Sequence, residues 1–317
     1  MKTKQTPIIC LMGPTASGKT DIAVNLVQQL PFEIISVDSA MVYRGMDIGT
    51  AKPTKDILAI APHHLLDICD PVENYSAGQF REDALREIEI ILQHKRIPLL
   101  VGGTMLYFNA LQNGLANLPR ANSEIRERIN WEAQAIGWLK LHERLQKIDP
   151  IAAERIHPND PQRLQRALEI YEISGKNLTS FLAAEAKQKL PYPIINIALA
   201  PADRPLLHAR IAKRFDHMLQ QGFIAEVEKL YQRGDLQAEL SAIRAVGYRQ
   251  AWDYLANKIN FDEMRERAII ATRQLAKRQM TWLRSWENLQ WFDSEDANCL
   301  ATILNFLQTN DFFFIPR

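Results

Sequence analysis

The chain has 317 residues, of which 47% are hydrophobic and 24% charged, values far from those of a disordered or collagen-like chain. The net charge of +1 creates no global field for polyanions, so a nucleic-acid role would need local clusters of basic residues. The cysteines, Cys10, Cys69 and Cys299, form no CxxC pair, which excludes a disulfide framework and a cysteine zinc site. No apolar run approaches the roughly 18 residues of a membrane helix, and the N-terminal apolar run is too short for a signal peptide. We therefore expect a cytoplasmic protein without a membrane partner.

Short runs rich in Ile and Val alternate with helical patterns in the first 115 residues and again near the end. This alternation is typical of βαβ units, so it predicts an α/β core with a parallel sheet flanked by helices. The predicted strands are 8–12, 33–37, 64–68, 97–101, 194–200 and 289–292. Ser76 and Gln79 match a capping box and predict a helix that starts at Ser76.

The pattern changes over residues 118–191, where charged residues interleave with apolar ones at helical spacing and no β-rich run occurs. We predict an all-helical insertion domain over 118–191, within a core formed by residues 1–117 and 192–317. A long helical pattern over 261–284 carries six basic and three acidic residues and is the local basic cluster. The phenylalanine run at 312–314 has no functional interpretation.

Residues 13–20 match the phosphate-loop pattern G-x-x-x-x-G-K-[ST] between a predicted strand and a predicted helix. In such a loop, glycines let backbone N–H groups converge, the helix N-terminus and Lys19 add positive charge, and the Thr20 hydroxyl can hold Mg²⁺. The predicted ligand is a diphosphate or triphosphate. The candidate diphosphate-binding residues are Gly13, Pro14, Thr15, Ala16, Ser17, Gly18, Lys19 and Thr20, and Thr20 is the candidate metal ligand.

Asp38 follows the second predicted strand, at the position where ligands bind in open α/β sheets, so its carboxylate is a candidate base. A Mg²⁺ ligand and a helix N-cap are the alternatives. Gly102 and Gly103 end another strand and would let a substrate approach the backbone, although such a pair is more often a tight turn. The nearest match to the GTPase base motif, 257–260, lacks its aspartate, which excludes that class. A small-molecule kinase with Asp38 as its base remains open.

Further motifs occur in a fixed order along residues 8–290. They are GPTASGKT at 13–20, DSAMVYRGMDIGTAKPT at 38–54, VGGTMLY at 101–107, DPQRLQRALE at 160–169, RAVGYRQ at 244–250 and TRQLAKRQ at 272–279. The phosphate loop alone would be generic. The ordered set, however, resembles the tRNA dimethylallyltransferase family, also called tRNA isopentenyltransferases or IPP transferases.

The resemblance implies that the diphosphate is dimethylallyl diphosphate and that its prenyl group passes to N6 of adenosine 37, beside the tRNA anticodon. The products would be N6-isopentenyladenosine and pyrophosphate. It implies catalytic roles for Asp38, Thr20 and Arg214, with Arg214 and Mg²⁺ stabilising the leaving pyrophosphate. An exocyclic adenine amine is a poor nucleophile, so a carboxylate such as Asp38 that accepts its proton lowers the barrier.

A stacked adenosine must flip out to reach a buried diphosphate, so we predict two groups of contacts with the anticodon stem-loop. Near the chemistry they are Asp38, Ser39, Ala40, Met41 and Thr104. Farther out they are Arg126, Gln162, Arg163, Leu164, Gln165, Arg166, Arg244, Ala245, Val246, Gly247, Tyr248, Arg249, Lys277, Arg278, Gln279, Met280, Thr281, Trp282, Leu283 and Arg284. For any one arginine, a solvated salt bridge is an equal alternative, and Met41 and Trp282 also fit core packing.

Three hypotheses from different functional classes are open: a prenyltransferase, a metabolite kinase, and an RNA-binding protein without catalysis. A kinase leaves the arginine-rich tract from 244 to 284 unexplained. A protein that only binds RNA predicts loss of Lys19 or Asp38, and both are present. We favour the prenyltransferase, and nothing in the sequence requires more than a monomer.

Overall fold

The computed structural model describes residues 6–116, 118–184 and 190–309, so the phenylalanine run at 312–314 lies outside the described residues. The chain forms two compact units. One comprises the residues up to Gln112 together with those from Leu190 onward, and the other spans Asn113–Lys189. The predicted boundaries of the insertion were 118 and 191. In the described part of the chain, no helix is both long enough and apolar enough to span a bilayer.

The described residues of the first unit contain one six-stranded parallel sheet with the order β3-β2-β4-β1-β5-β6. The strands are β1 (Ile8–Met12), β2 (Phe32–Val37), β3 (His63–His64), β4 (Ile97–Gly102), β5 (Ile194–Ala200) and β6 (Leu289–Asp293). The predicted parallel α/β core is thus confirmed. The predicted strand at 64–68 was wrong in extent, because Leu65 (φ 62°) and Asp67 (φ 55°) leave the extended region and end β3.

Helices precede and follow the strands along the chain. They are α1 (Lys19–Gln29), α2 (Lys55–Ile60), α3 (Ala77–Gln93), α4 (Met105–Asn113), α5 (Ser123–Ile136), α6 (Trp138–Ile148), α7 (Pro150–Arg155), α8 (Pro161–Ser174), α9 (Leu178–Ala184), α10 (Arg204–Gln220), α11 (Phe223–Tyr231), α12 (Tyr248–Leu255), α13 (Phe261–Arg284) and α14 (Cys299–Thr309). The predicted capping box at Ser76 is present, since the Ser76 hydroxyl accepts from the Gln79 N–H and the Gln79 side chain accepts from the Ser76 N–H.

The central strands of the sheet, β1, β2, β4 and β5, are buried on both faces. On one face, side chains such as Ile9 pack with α1 and α14, and on the other, side chains such as Met12 pack with α3 and α4. Sheets covered on both sides have strands that are apolar throughout, which explains the unbroken Ile- and Val-rich runs. A separate cluster gathers α10 to α13 around Phe223 and Tyr248.

The second unit packs α5 to α8 around Ile129, Leu141 and Leu164. Leu164 is fully buried there, so its side chain is not available to RNA, and the predicted contact was wrong. A helix turns its successive residues in different directions, and a contiguous motif therefore includes core positions.

Glu169 is fully buried in this unit and organises its charged residues. Its carboxylate accepts hydrogen bonds from Arg126 Nε at 2.9 Å, from Arg166 Nη1 at 2.7 Å and from the Asn122 N–H at 2.8 Å. Burial alone would raise the pKa of Glu169, but these hydrogen bonds outweigh it and lower the pKa. Arg126 and Arg166, both predicted tRNA contacts, therefore hold a buried carboxylate inside the protein.

We expect Glu169→Gln to loosen the second unit by about 1.5–3 kcal/mol, because charged hydrogen bonds to two arginines are lost. Native-state hydrogen exchange of the α5 and α8 amides measures this locally, as faster exchange. Since the pKa of Glu169 is lowered, its stabilisation is present at neutral pH and disappears as the pH falls through the folded-state pKa. The difference from the parent should therefore shrink in acid.

Glu127→Gln is the matched control, because Glu127 is an exposed glutamate on α5. It should exchange like the parent at every pH. Equal exchange in the Glu127 and Glu169 variants would contradict a stabilising role for Glu169.

Candidate active site

Three loops of the site begin side by side at one edge of the sheet, because the strands before them end in register. Met12 at the end of β1 pairs with Gly102 at the end of β4, and Gly102 pairs with Val37 at the end of β2. The next residue of each strand begins a loop that borders a cleft of about 1630 Å³. The cleft lies in the first unit, and its other walls include residues of α10, of α13 and of the segments 49–54 and 244–248.

The loop between β1 and α1 has the geometry of a phosphate cradle. Ala16 (φ 63°) and Gly18 (φ 82°) adopt left-handed conformations that turn the chain into the N-terminus of α1. A Cβ at Gly13 would lie 2.3 Å from the Leu199 carbonyl oxygen, so a side chain cannot fit there. Lys19 Nζ donates to the Pro14 carbonyl at 2.7 Å, which folds the ammonium back over the loop.

Two cations, Lys19 and Arg214, and one carboxylate, Asp38, interact around this cradle. Burial, and after it the Arg214 charge, lowers the pKa of Lys19 to about 7 against the opposing effect of Asp38. Burial also lowers the pKa of Arg214, again against the effect of Asp38. Two desolvated cations thus act on each other beside one carboxylate, and an anion in the cleft would stabilise both.

Asp38 begins the loop after β2. Its Oδ1 accepts from the N–H groups of Ala40 at 2.8 Å and Met41 at 3.2 Å. Residues 39–42 form turns, so Asp38 is not a helix N-cap and that alternative was wrong. The Ser39 N–H donates to Thr104 Oγ1 at 3.1 Å, which joins this loop to the loop after β4. The predicted adenine-side group, residues 38–41 and Thr104, is therefore brought together at the cleft.

Gln279 on α13 ties the cradle to the loop after β4. Its Oε1 accepts from the Thr15 N–H at 2.9 Å, and its Nε2 donates to the Gly103 carbonyl at 2.8 Å. A Cβ at Gly103 would lie 2.4 Å from that Nε2, and one at Gly102 would lie 2.0 Å from the Val37 carbonyl oxygen. Both glycines are thus needed for close packing within the protein. This accounts for them without a substrate approaching their backbone.

Comparison with known proteins identifies the family. Residues 41–286 match the family model described as IPP transferase, and residues 6–67 match the model described as isopentenyl transferase. The chain belongs to the IPP transferase family. The resemblance that the motifs indicate is confirmed.

Individual members of this family are similar along nearly the whole of this chain. A tRNA dimethylallyltransferase of Coxiella burnetii (strain RSA 493 / Nine Mile phase I) is 56% identical over 301 residues, which cover 95% of this chain and 97% of the relative. The structure of a full-length tRNA isopentenylpyrophosphate transferase from Bacillus halodurans is 38% identical, with a TM-score of 0.70 and 96% of each chain covered. A eukaryotic dimethylallyltransferase, captured acting on tRNA, is 27% identical, with a TM-score of 0.82, covering 97% of this chain and 79% of that one.

In this member of the family, the arginine-rich candidates do not all reach the cleft. Residues 244–248, Arg278, Gln279 and Trp282 line it, and Trp282 is 40% exposed. Arg249, Lys277, Thr281 and Arg284 are exposed without lining it, and Met280 packs against the core. Leu283 is fully buried and does not line the cleft, so its predicted contact with RNA was wrong. Tyr248 is also fully buried, although it belongs to the wall of the cleft.

The candidates at 162–166 belong to the second unit, where Gln162 and Arg163 are exposed. Gln165 is half-buried and donates to the Arg126 carbonyl at 3.1 Å.

Two residues that hold a loop of the cleft were not among the predicted site residues. Lys52 Nζ donates to the Tyr43 carbonyl at 3.0 Å and to the carboxylates of Asp47 and Asp67, each at 2.6 Å. Glu226 on α11 binds backbone N–H groups of the same loop. Lys52 lies in the 38–54 motif, which could have singled it out, whereas no local pattern marks Glu226.

We expect Gln279→Ala to weaken binding of inorganic pyrophosphate by about tenfold, because two hydrogen bonds of about 0.5–1.5 kcal/mol each hold the cradle in place. Isothermal titration calorimetry with Mg²⁺ present measures the Kd. Gln274→Ala, an exposed glutamine on the same helix, should bind like the parent. An unchanged Kd for Gln279→Ala would mean that the cradle keeps its shape without the bridge.

Proposed function

We propose that this protein transfers the dimethylallyl group of dimethylallyl diphosphate to N6 of adenosine 37 in tRNA, releasing pyrophosphate. The observation that carries the proposal is one cleft in which a phosphate cradle lies beside a carboxylate able to accept a proton. The Asp38 charge acts on both Lys19 and Arg214, so the base lies next to the cations that would hold the leaving group. The kinase alternative has no support among the relatives, whose names describe dimethylallyl or isopentenyl transfer.

On the leaving-group side, residues 13–20 bind the diphosphate and Lys19 and Arg214 stabilise it. The allylic C1–O bond breaks, its electron pair stays with pyrophosphate, and negative charge grows on the oxygen that leaves. Lys19 and Arg214 are already desolvated, so their attraction for this charge is stronger than it would be in water.

On the acceptor side, N6 forms the new bond to C1 and loses a proton to Asp38. Asp38 Oδ1 is held by the N–H groups of Ala40 and Met41, so we assign Oδ2 as the atom that accepts the proton. Ser39, Ala40, Met41 and Thr104 would border the flipped adenine. Arg244, Arg278 and Trp282 would contact the anticodon loop at the cleft, and Gln162 and Arg163 would contact the stem-loop from the second unit.

Mg²⁺ fits the donors at the cradle. This ion takes most of its ligands from substrate phosphates and water, so it needs few protein oxygens. The Thr20 hydroxyl, at the start of α1, lines the cleft and would hold it. When bound, Mg²⁺ supplies charge neutralisation for the diphosphate.

The test is to incubate the protein with Mg²⁺, unmodified tRNA and dimethylallyl diphosphate, and to search the nucleosides by mass spectrometry for prenylated adenosine. We expect Asp38→Asn to lower turnover by about 10²- to 10⁴-fold with little change in tRNA affinity. Asparagine keeps an oxygen for the Ala40 and Met41 N–H groups, so the loss reports the base alone.

Asp21→Asn is the control, since Asp21 is an exposed carboxylate at the same cleft. It should turn over like the parent. Full turnover by Asp38→Asn would remove Asp38 as the base, and absence of prenylated adenosine with the parent protein would refute the proposed function.

Arg278→Ala tests the tRNA surface. Arg278 is exposed at the cleft, so we expect its loss to weaken tRNA binding and to reduce the slope of log K against log salt by about 1, as for one lost phosphate contact. Fluorescence anisotropy over a salt series measures the slope. Arg267→Ala is the control, because Arg267 lies on the same helix and already pairs with Glu263. Equal slopes for all three proteins would exclude Arg278 as a phosphate contact.

A further inference from the structure

Glu226 on α11 binds the backbone of a segment that we call the 47–52 loop. Its carboxylate accepts from the N–H groups of Asp47 at 2.9 Å, Ile48 at 2.7 Å and Gly49 at 3.1 Å. The Tyr248 hydroxyl donates to the same carboxylate at 2.5 Å. A carboxylate that gathers consecutive backbone N–H groups fixes the conformation of that backbone, since each charge-assisted bond is stronger than a neutral one.

The surroundings of this carboxylate leave little room for another arrangement. Tyr248 is fully buried, and its ring packs edge-on against Phe223 with 5.2 Å between ring centroids. Burial raises the pKa of Tyr248, and the Glu226 charge raises it further, so the hydroxyl stays protonated and donates. A Cβ at Gly49 would lie 2.3 Å from Phe223 and 2.6 Å from Tyr248, so the loop backbone is pressed against both rings.

The 47–52 loop connects this cluster to the cleft. The carbonyl oxygen of Thr50 accepts from Arg214 Nη2 at 3.3 Å, and residues 49–53 line the cleft. Lys52 holds the far end of the loop through the Tyr43 carbonyl and the Asp47 carboxylate. Arg214 thus rests on a backbone whose shape depends on Glu226.

We propose that Glu226 and Tyr248 are positioning residues for Arg214, acting through the 47–52 loop, and this inference rests on the proposed function. Tyr248 belongs to the RAVGYRQ motif, so part of that motif serves the diphosphate side of the cleft through an internal contact. We assign neither residue a contact with a substrate. They fix the position of the Arg214 guanidinium relative to the charge that develops on pyrophosphate.

A double-mutant cycle with Arg214 tests this. We expect Glu226→Gln to lower kcat by about 10²-fold, the loss typical of a misplaced catalytic group, and Tyr248→Phe, which keeps the ring, to lower it less. The KM for tRNA should not change, because both residues act on the diphosphate side. In an Arg214→Ala background, neither variant should lower kcat further, since the group they position is gone. Glu228→Gln, an exposed glutamate on the same helix, is the control and should match the parent.

Binding of inorganic pyrophosphate with Mg²⁺ gives a second readout that does not need turnover. The same cycle should appear in its Kd: weaker binding for Glu226→Gln and Tyr248→Phe alone, and no added effect with Arg214→Ala. If Glu226→Gln fails to fold by circular dichroism, Tyr248→Phe carries the cycle. Losses that multiply with that of Arg214→Ala would overturn the inference and assign both residues to stability. A parent that binds pyrophosphate with the expected cycle but forms no prenylated adenosine would refute the proposed function and leave the positioning intact.

Discussion

The whole cleft depends on the pairing of three strand ends. Because β4 lies between β1 and β2, Met12, Gly102 and Val37 form one row, and the three loops of the site begin at the next residue. Gly102 makes this row possible, since a Cβ there would lie 2.0 Å from the Val37 carbonyl oxygen. A shift of β2 by one residue would turn its buried side chains to the other face of the sheet. It would also carry Asp38 away from the cradle, so the core packing that sets the register also sets the chemistry.

Polar side chains whose partners lie far away in the sequence hold loops in one conformation. Gln279 reaches the N–H of Thr15, Glu226 reaches the 47–52 loop, and Glu169 reaches the N–H of Asn122. In each case a buried or half-buried acceptor satisfies backbone groups that have no partner in a helix or strand. Such groups are costly to leave unpaired, which makes each contact specific for one loop conformation. The two active-site loops that Gln279 and Glu226 hold are therefore shaped by side chains that do no chemistry themselves.

Whether a feature could be predicted from the sequence depends on how far apart in the chain the contacting residues lie. Strands β1 and β5, the capping box at Ser76 and the phosphate loop are local patterns, and the structure has each of the predicted elements where the pattern lies. The candidates taken from contiguous motifs were less accurate. Leu164, Tyr248 and Leu283 are buried, because a helix turns neighbouring motif residues toward opposite sides. Glu226 could not be predicted at all, since its loop partners lie almost 180 positions earlier in the chain and no spacing relates them.

Charge in the cleft also differs from what the composition suggests. The whole chain carries a net charge of only +1, yet burial and Arg214 lower the pKa of Lys19 to about 7. A lysine whose pKa is lowered in this way is held in its charged form at a free-energy cost near neutral pH. A bound polyanion offsets that cost for Lys19 and Arg214 together, whereas a neutral ligand does not. The fold thus holds two cations whose charged forms are destabilised by burial. A diphosphate gains affinity because its negative charge offsets that destabilisation.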